Sequence, residues 1–315
     1  GKDSDTMYGR SSSPTSAVLI NYPIVQLESC PSDDYILEGR NYSCTCRETS
    51  NTFLPANTTF SSGSTIVSSG PGIATYTFTA GRNMENLTCQ AKLLTETSNT
   101  VTYTPQVAYG PESASCNVTY NQKTVDVIDW CDKTQTVRII ADCTVPENDV
   151  SPGVTFQFNI NGTSTRNPPS STTLNYDVTN AGPLSVQCIA SNSVYTTRSV
   201  SSQSQIIQVR EPPAAPPVID ITTPVTDSIT PVTGNQLAVV EGINRIRCRV
   251  DGGYPQVSSV SVDCGDMERN ISVGNVVFVD VNMTREKNGS DCSCTATHNS
   301  SCYINNKTVV KVILF

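Results

Sequence analysis

Thirteen cysteines and a single histidine, His298, are the residues of this 315-residue chain with most chemistry to offer. Cysteines at this density can hold a metal, act as nucleophiles or cross-link. Zinc sites draw on paired Cys-x-x-Cys clusters together with histidine. Here the closest spacing is Cys-x-Cys, at Cys44 and Cys46 and again at Cys292 and Cys294. A nucleophile needs a base and an orienting acid within reach. One histidine supplies little of that, and Gly-x-Ser-x-Gly, His-Glu-x-x-His, P-loop and dinucleotide fingerprints are all missing from the sequence. Cross-linking remains, and it places the chain in an oxidising compartment. The expectation is a protein that is not an enzyme and carries no metal or other cofactor.

Ten Asn-x-Ser/Thr sequons point to the same compartment: Asn41, Asn57, Asn86, Asn117, Asn161, Asn270, Asn282, Asn288, Asn299 and Asn306. Random order would give about six at this composition, so their weight comes from the company of the cysteines. Five of the ten fall between Asn270 and Asn306. N-linked glycans there would shield the last third of the chain and leave the first two thirds for protein partners. A formal net charge of −8 argues against nucleic acid and heparin-like ligands. No apolar run reaches the roughly 18 residues of a membrane span. The segment opens without a signal peptide and ends on strand-like sequence, as expected of a piece of a longer parent.

The elements that position these residues are strands. Serine and threonine make up nearly a quarter of the chain, as suits hydroxyl-dressed sheet surfaces. Period-two alternation runs through residues 154–160 (VTFQFNI), 276–281 (VVFVDV), 206–209 (IIQV) and 136–143 (TVRIIADC). Residues 1–16 are polar, without periodicity, and read as a leader with hydroxyls open to O-glycosylation. The clearest linker is 210–217 (REPPAAPP), whose prolines favour an extended, semi-rigid spacer. The expected division is 17–108, 109–210 and 211–315, three domains of about 100 residues each. The third opens on a Thr/Pro-rich first-strand region, 222–233. Gly252-Gly253-Tyr254-Pro255 reads as a turn, with glycines supplying positive φ. Acids at Asp33, Asp34, Asp142 and Glu147 lie away from the proline-bearing junctions, so a calcium site of clustered acids is not expected.

Each third carries two cysteines 43 to 46 residues apart: Cys46 and Cys89, Cys143 and Cys188, Cys248 and Cys294. Glu38-Gly39 and Glu241-Gly242 precede the first member of their pairs, and Cys89-Gln90-Ala91 and Cys294-Thr295-Ala296 mark the second. At these residues the chain resembles the immunoglobulin superfamily across about 300 positions. The form Cys30-Pro31, Glu38-Gly39, Cys44-x-Cys46 looks like multi-domain secreted or surface proteins of invertebrate type. The resemblance implies an all-β fold of three tandem immunoglobulin-like sandwiches, each stapled across its core by one of those pairs. It also implies the extra bridges Cys30–Cys44, between neighbouring first and second strands, and Cys264–Cys292, where the third strand ends beside the start of the sixth. Cys116 with Cys131 would close a short loop ahead of the second strand. Cys302 is left unpaired within the chain, free for another chain, another domain of the parent or a small thiol. The core tryptophan and the tyrosine before the second staple cysteine are missing. Phe60 and Phe156 stand in for the tryptophan in the first two thirds, and Val260 and Val262 in the third; the lone Trp130 lies outside the slot. Each staple would contribute about 4 kcal/mol against a domain total of about 5–15.

The resemblance implies an extracellular recognition module, for adhesion, receptor or soluble immune-type binding, secreted or part of a cell-surface ectodomain. Its partner would be a protein or a glycan, with self-association among the options, and the warrant is fold-level analogy. The alternative is a structural or storage glycoprotein using such modules as spacers in a matrix or fluid. His298 is expected in an exposed loop after the sixth strand.

Overall fold

The computed structural model describes residues 22–50, 54–165, 171–222, 229–230, 234–265, 270–304 and 306–314. The leader 1–16 and most of the region 222–233 lie outside these residues. Among the described residues the regular structure is strand apart from one short 3-10 turn, Arg285–Lys287. The chain divides into two compact units. One comprises the described residues up to Gly110 with Val150–Gly153 and Asn192–Thr196; the other comprises the remainder.

The first unit holds one core. The strands Val25–Glu28, Asn41–Glu48 and Ile73–Thr79 form one sheet. Facing it, Thr65–Pro71, Asn57–Ser62 and Leu87–Leu93 form another, extended by Val101–Tyr103. Ile36–Leu37 pairs parallel with Val107–Ala108. Phe60 is fully buried and sits in register with Cys89, where it fills the slot of the missing tryptophan. At one end Asn192 is buried with its amide fully used: Nδ2 donates to the carbonyls of Tyr109 and Ser151, and Oδ1 accepts from the N–H groups of Val194 and Tyr195.

The second unit holds two cores with the same strand order. In the first of them, Ser115–Tyr120, Val137–Thr144 and Thr173–Val178 form one sheet with the short Lys123–Thr124 at its edge. The facing sheet runs Val127–Asp129, Gln205–Arg210, Gly182–Asn192, Val154–Ile160, Thr163–Thr165. In the other core, Val218–Thr222, Gly242–Arg249 and Val276–Met283 face Gln236–Val239, Lys307–Leu314, Asp291–Thr297, Ser259–Asp263 and Asn270–Ser272. The alternations do what period two requires. Val277, Val279, Val281 and Met283 point inward while Phe278, Asp280 and Asn282 point out. This is the immunoglobulin-like sandwich: two sheets, antiparallel pairing apart from a parallel clip between the early and last strands, and a bond across the core. The first strand of the last core is Val218–Thr222, earlier than the sequence suggested. In the middle core Phe158 is more deeply buried than Phe156, and both face inward. In the last, Val260 and Val262 are buried in a core of Ile, Val, Met and Cys.

Six disulfides are formed. Cys46–Cys89, Cys143–Cys188 and Cys248–Cys294 cross the three cores with Cα separations of 5.6, 5.8 and 5.7 Å. Cys30–Cys44 and Cys264–Cys292 join neighbouring strands. The remaining pairing differs from the expectation. Cys116 is not bonded to Cys131 and Cys302 is not unpaired: Cys131 bonds to Cys302, and Cys116 is the free thiol. The reason is that the chain changes sheets between Cys116 and Cys131. Cys116 sits opposite Cys143 in one sheet. Cys131 follows Val127–Asp129, which pairs with Gln205–Arg210 in the other.

Candidate functional site: a disulfide-clamped junction

The Cys131–Cys302 bond joins the two cores of the second unit, and the residues around it make the most elaborate local structure outside the cores. On one side, Val127–Asp129 lies parallel to Gln205–Arg210 with Asp129 in register with Arg210. The Trp130 N–H donates to the Arg210 carbonyl at 2.7 Å. Cys131 is thereby held where the proline linker departs. The Trp130 indole N–H donates to the carbonyls of Asp132 and Gln135 and ties the following turn. Trp130 is partly buried against the edge of the middle core and also belongs to this junction.

On the other side, residues 298–304 follow the strand Asp291–Thr297. His298 pins them. The Ser300 N–H donates to Nδ1 at 3.0 Å, so Nδ1 is the unprotonated nitrogen and Nε2–H donates to the Pro255 carbonyl at 2.7 Å. His298 is half-buried, with the Tyr303 ring edge-on to it. It is a structural residue of the loop that carries Cys302, rather than an exposed one.

Four further contacts close the junction. The Asp129 carboxylate accepts from the Ser301 N–H and hydroxyl at 3.1 and 2.6 Å. Arg210 donates to the Asn299 carbonyl at 2.9 Å. Glu211 and Tyr254 exchange two backbone hydrogen bonds, each 2.7 Å. The expected turn at 252–255 thus packs on the linker. Gly253 has φ +86° there, and a Cβ would come within 3.0 Å of Pro213, so only glycine fits. Lys133 pairs with Glu211 at the rim. Between the walls lies an open cleft of about 360 Å³, lined by Trp130, Lys133, Pro212, Tyr303 and Ile304 among others. Burial pushes the Tyr303 hydroxyl above the usual phenol range.

Of the groups lining the cleft, Cys131 and Cys302 are joined as a disulfide and Lys133 is paired with Glu211; His298, outside the lining, is bonded on both nitrogens. Among the described residues no three His, Cys, Asp or Glu side chains converge as metal ligands. The arrangement sets the angle between two sandwiches. The sequence signals for it were the tryptophan outside its slot, next to a cysteine, and the odd number of cysteines after the linker.

Nine of the sequon asparagines have exposed side chains: Asn41, Asn57, Asn86, Asn117, Asn161, Asn282, Asn288, Asn299 and Asn306. The side chain of Asn270 lies outside the described residues. At Asn41, Asn117, Asn161 and Asn288 the amide oxygen accepts a hydrogen bond from the protein, which leaves Nδ2, the atom that sugar would take.

No protein-family model and no curated protein matches the chain. Among solved structures it is similar to an ICAM-5 D1–D4 ectodomain fragment, at 13% identity and TM-score 0.48, covering 94% of this chain and 78% of that one. The N-terminal four immunoglobulin domains of Dscam1 isoform 6.9 match at 14% identity and TM-score 0.37, covering 94% and 73%. The Dpr2 Ig1–Ig2 complex with DIP-Theta Ig1–Ig3 matches at 12% and 0.38, covering 93% and 100%. The fold assignment rests on the strand order and core-crossing bonds described above.

Proposed function

We propose that the chain is an extracellular recognition ectodomain, with three immunoglobulin-like domains at 17–108, 109–210 and 211–315. Six disulfides and nine outward sequon asparagines support the compartment. The observation that carries the recognition reading is the Cys131–Cys302 clamp. A storage or spacer glycoprotein needs modules but no set angle between them. A binding surface spread over two sandwiches gains from one, because the cost of ordering the elbow is met before the partner arrives. The partner class is a protein or glycan ligand, a second copy of the chain included. The test uses the glycosylated chain beside its Cys131→Ser/Cys302→Ser variant, in sedimentation for self-association and in saturation binding to cells and immobilised extracellular proteins. The expected result is saturable binding, or reversible self-association, that weakens when the clamp is opened. Binding identical in the two proteins, or none above background in either, refutes the reading.

A further inference from the structure

Three large apolar side chains are open to solvent on the outer face of one sheet of the last sandwich. Ile243 is 66% exposed, Phe278 51% and Val218 40%. The face is built from Val218–Thr222, Gly242–Arg249 and Val276–Met283. Register orders it into rows. Ile243 lies opposite Asn282, Arg245 opposite Asp280, and Arg247 opposite Phe278. In the middle row the guanidinium of Arg245 bonds both carboxylate oxygens of Asp280, at 2.7 and 2.9 Å. Opposed Cβ atoms on such a face are about 5 Å apart, and successive rows about 7 Å.

Asn282-Met283-Thr284 is a sequon, and Asn282 is a strand residue pointing straight out of this face. A glycan rooted there starts on the sheet, beside Ile243, rather than on a loop that would carry it away. A pyranose ring has an apolar C–H face that packs on aliphatic and aromatic surface, and a rim of hydroxyls that bond to guanidinium and carboxylate. The rows offer both in turn: an isoleucine, a flat ion pair, then a phenylalanine beside an arginine. We propose that this sheet is an intramolecular sugar-binding surface, and that the N-linked glycan of Asn282 lies back along Ile243 and the Arg245–Asp280 pair toward Phe278 and covers them. Two other sequons on outward strand positions make the contrast. Asn41 lies opposite Thr79 and Asn117 opposite Asp142, so their sugars meet polar side chains. Exposed isoleucine and phenylalanine on one sheet face add apolar surface that another chain could cover. The Asn282 glycan converts this face into a closed surface.

The proposal rests on the extracellular reading, and the experiment separates the two. The chain is secreted from eukaryotic cells as wild type, as Thr284→Ala and as Ser43→Ala. Thr284→Ala removes the Asn282 sequon without touching the face, and Thr284 makes no capping hydrogen bond with its side chain. Ser43→Ala removes the Asn41 sequon as control. Glycopeptide mass spectrometry reads occupancy, an apolar fluorescent dye reads exposed surface, and sedimentation reads self-association. Asn282 should be occupied. Thr284→Ala should gain dye binding and lose monomer, Ser43→Ala should do neither, and adding Ile243→Ser and Phe278→Ser to Thr284→Ala should cancel the gain. If Thr284→Ala is not secreted, enzymatic removal of the glycans from folded wild type and from folded Ile243→Ser/Phe278→Ser gives the same comparison. Other sequons filled with Asn282 bare, or equal dye binding with and without its glycan, overturns this proposal alone. Every sequon bare on the secreted protein overturns the extracellular reading as well.

Discussion

Opening the clamp should destabilise the last sandwich far more than its neighbour. Because Asp129 is in register with Arg210, Cys131 leaves the middle sandwich beside the start of the linker. If the last sandwich unfolds while the middle one stays folded, the bond closes a chain that runs in effect from Arg210 to Cys302. The Cys248–Cys294 staple already bypasses about half of that length. Roughly 45 residues remain in the loop, and confining them is worth up to about 4 kcal/mol in the chain-entropy account. The contacts of Asp129 with Ser301 and of Arg210 with Asn299 would survive the substitution, but each contributes only about 1 kcal/mol. The clamp is therefore the dominant tie. For a domain near 100 residues, 1 kcal/mol moves Tm by about 4–8 °C, so Cys131→Ser/Cys302→Ser should lower the transition of the last sandwich by about 15–30 °C. Calorimetry resolves the transitions, and peptide mapping under non-reducing conditions establishes that the five other bonds are intact. A shift below about 4 °C, under about 1 kcal/mol, with the Cys131–Cys302 peptide present in wild type, would refute the reasoning.

Two more expectations follow from local geometry. Cys116 is a half-buried thiol pushed up to about 11, first by burial and then by the Asp142 carboxylate. The folded state holds that proton more tightly than the unfolded chain does, so its contribution to stability is complete below the ordinary thiol range and is lost as pH rises through about 11. At pH 8 an alkylating reagent should label native protein slowly and denatured protein quickly, once per chain and at Cys116; label on Cys131 or Cys302 would contradict the clamp. Asp220 is 5% exposed and bonded through both oxygens to Arg247, at 3.1 and 2.7 Å, whereas the Arg245–Asp280 pair is half in solvent. Arg247→Ala leaves a buried carboxylate poorly matched and should cost about 1–3 kcal/mol, while Arg245→Ala should cost under about 1; equal losses in urea melts would show that burial is not what separates the pairs.

The parts of this molecule written in one sandwich at a time were readable from residues. A staple spacing of 43 to 46 residues reflects the number of strands between the second and the sixth, and alternation announces which side of each strand faces inward. Cys264 with Cys292 was readable because adjacent antiparallel strands bring the end of one beside the start of the next. Cys131 with Cys302 was not. That bond spans 171 residues, and its feasibility depends on the angle between two sandwiches, which no periodicity encodes. The same holds for Trp130, whose backbone partner Arg210 is distant in sequence at the start of the linker, and for His298, whose partner Pro255 lies in a different loop. Counting from the staple cysteine points to Phe156 rather than the more deeply buried Phe158 because it assumes a connection of constant length, and here the chain from Cys143 to Val154 sets its own.

In all three sandwiches an early strand pairs parallel with the last: Ile36–Leu37 with Val107–Ala108, Val127–Asp129 with Gln205–Arg210, and Gln236–Val239 with Lys307–Leu314. Parallel ladders space their hydrogen bonds evenly along the strands. With the disulfides reduced, a chain pulled from its two ends drags these strands in opposite directions along their length, so tension loads every rung of the clip at once rather than unzipping them singly; with the bonds formed, Cys30–Cys44 and Cys131–Cys302 carry the tension past one strand of each clip. The register gives two paired positions in the first sandwich, three in the second and four in the third. Under mechanical load in reductant the first sandwich should yield before the others, and the last, with the longest clip, should hold longest.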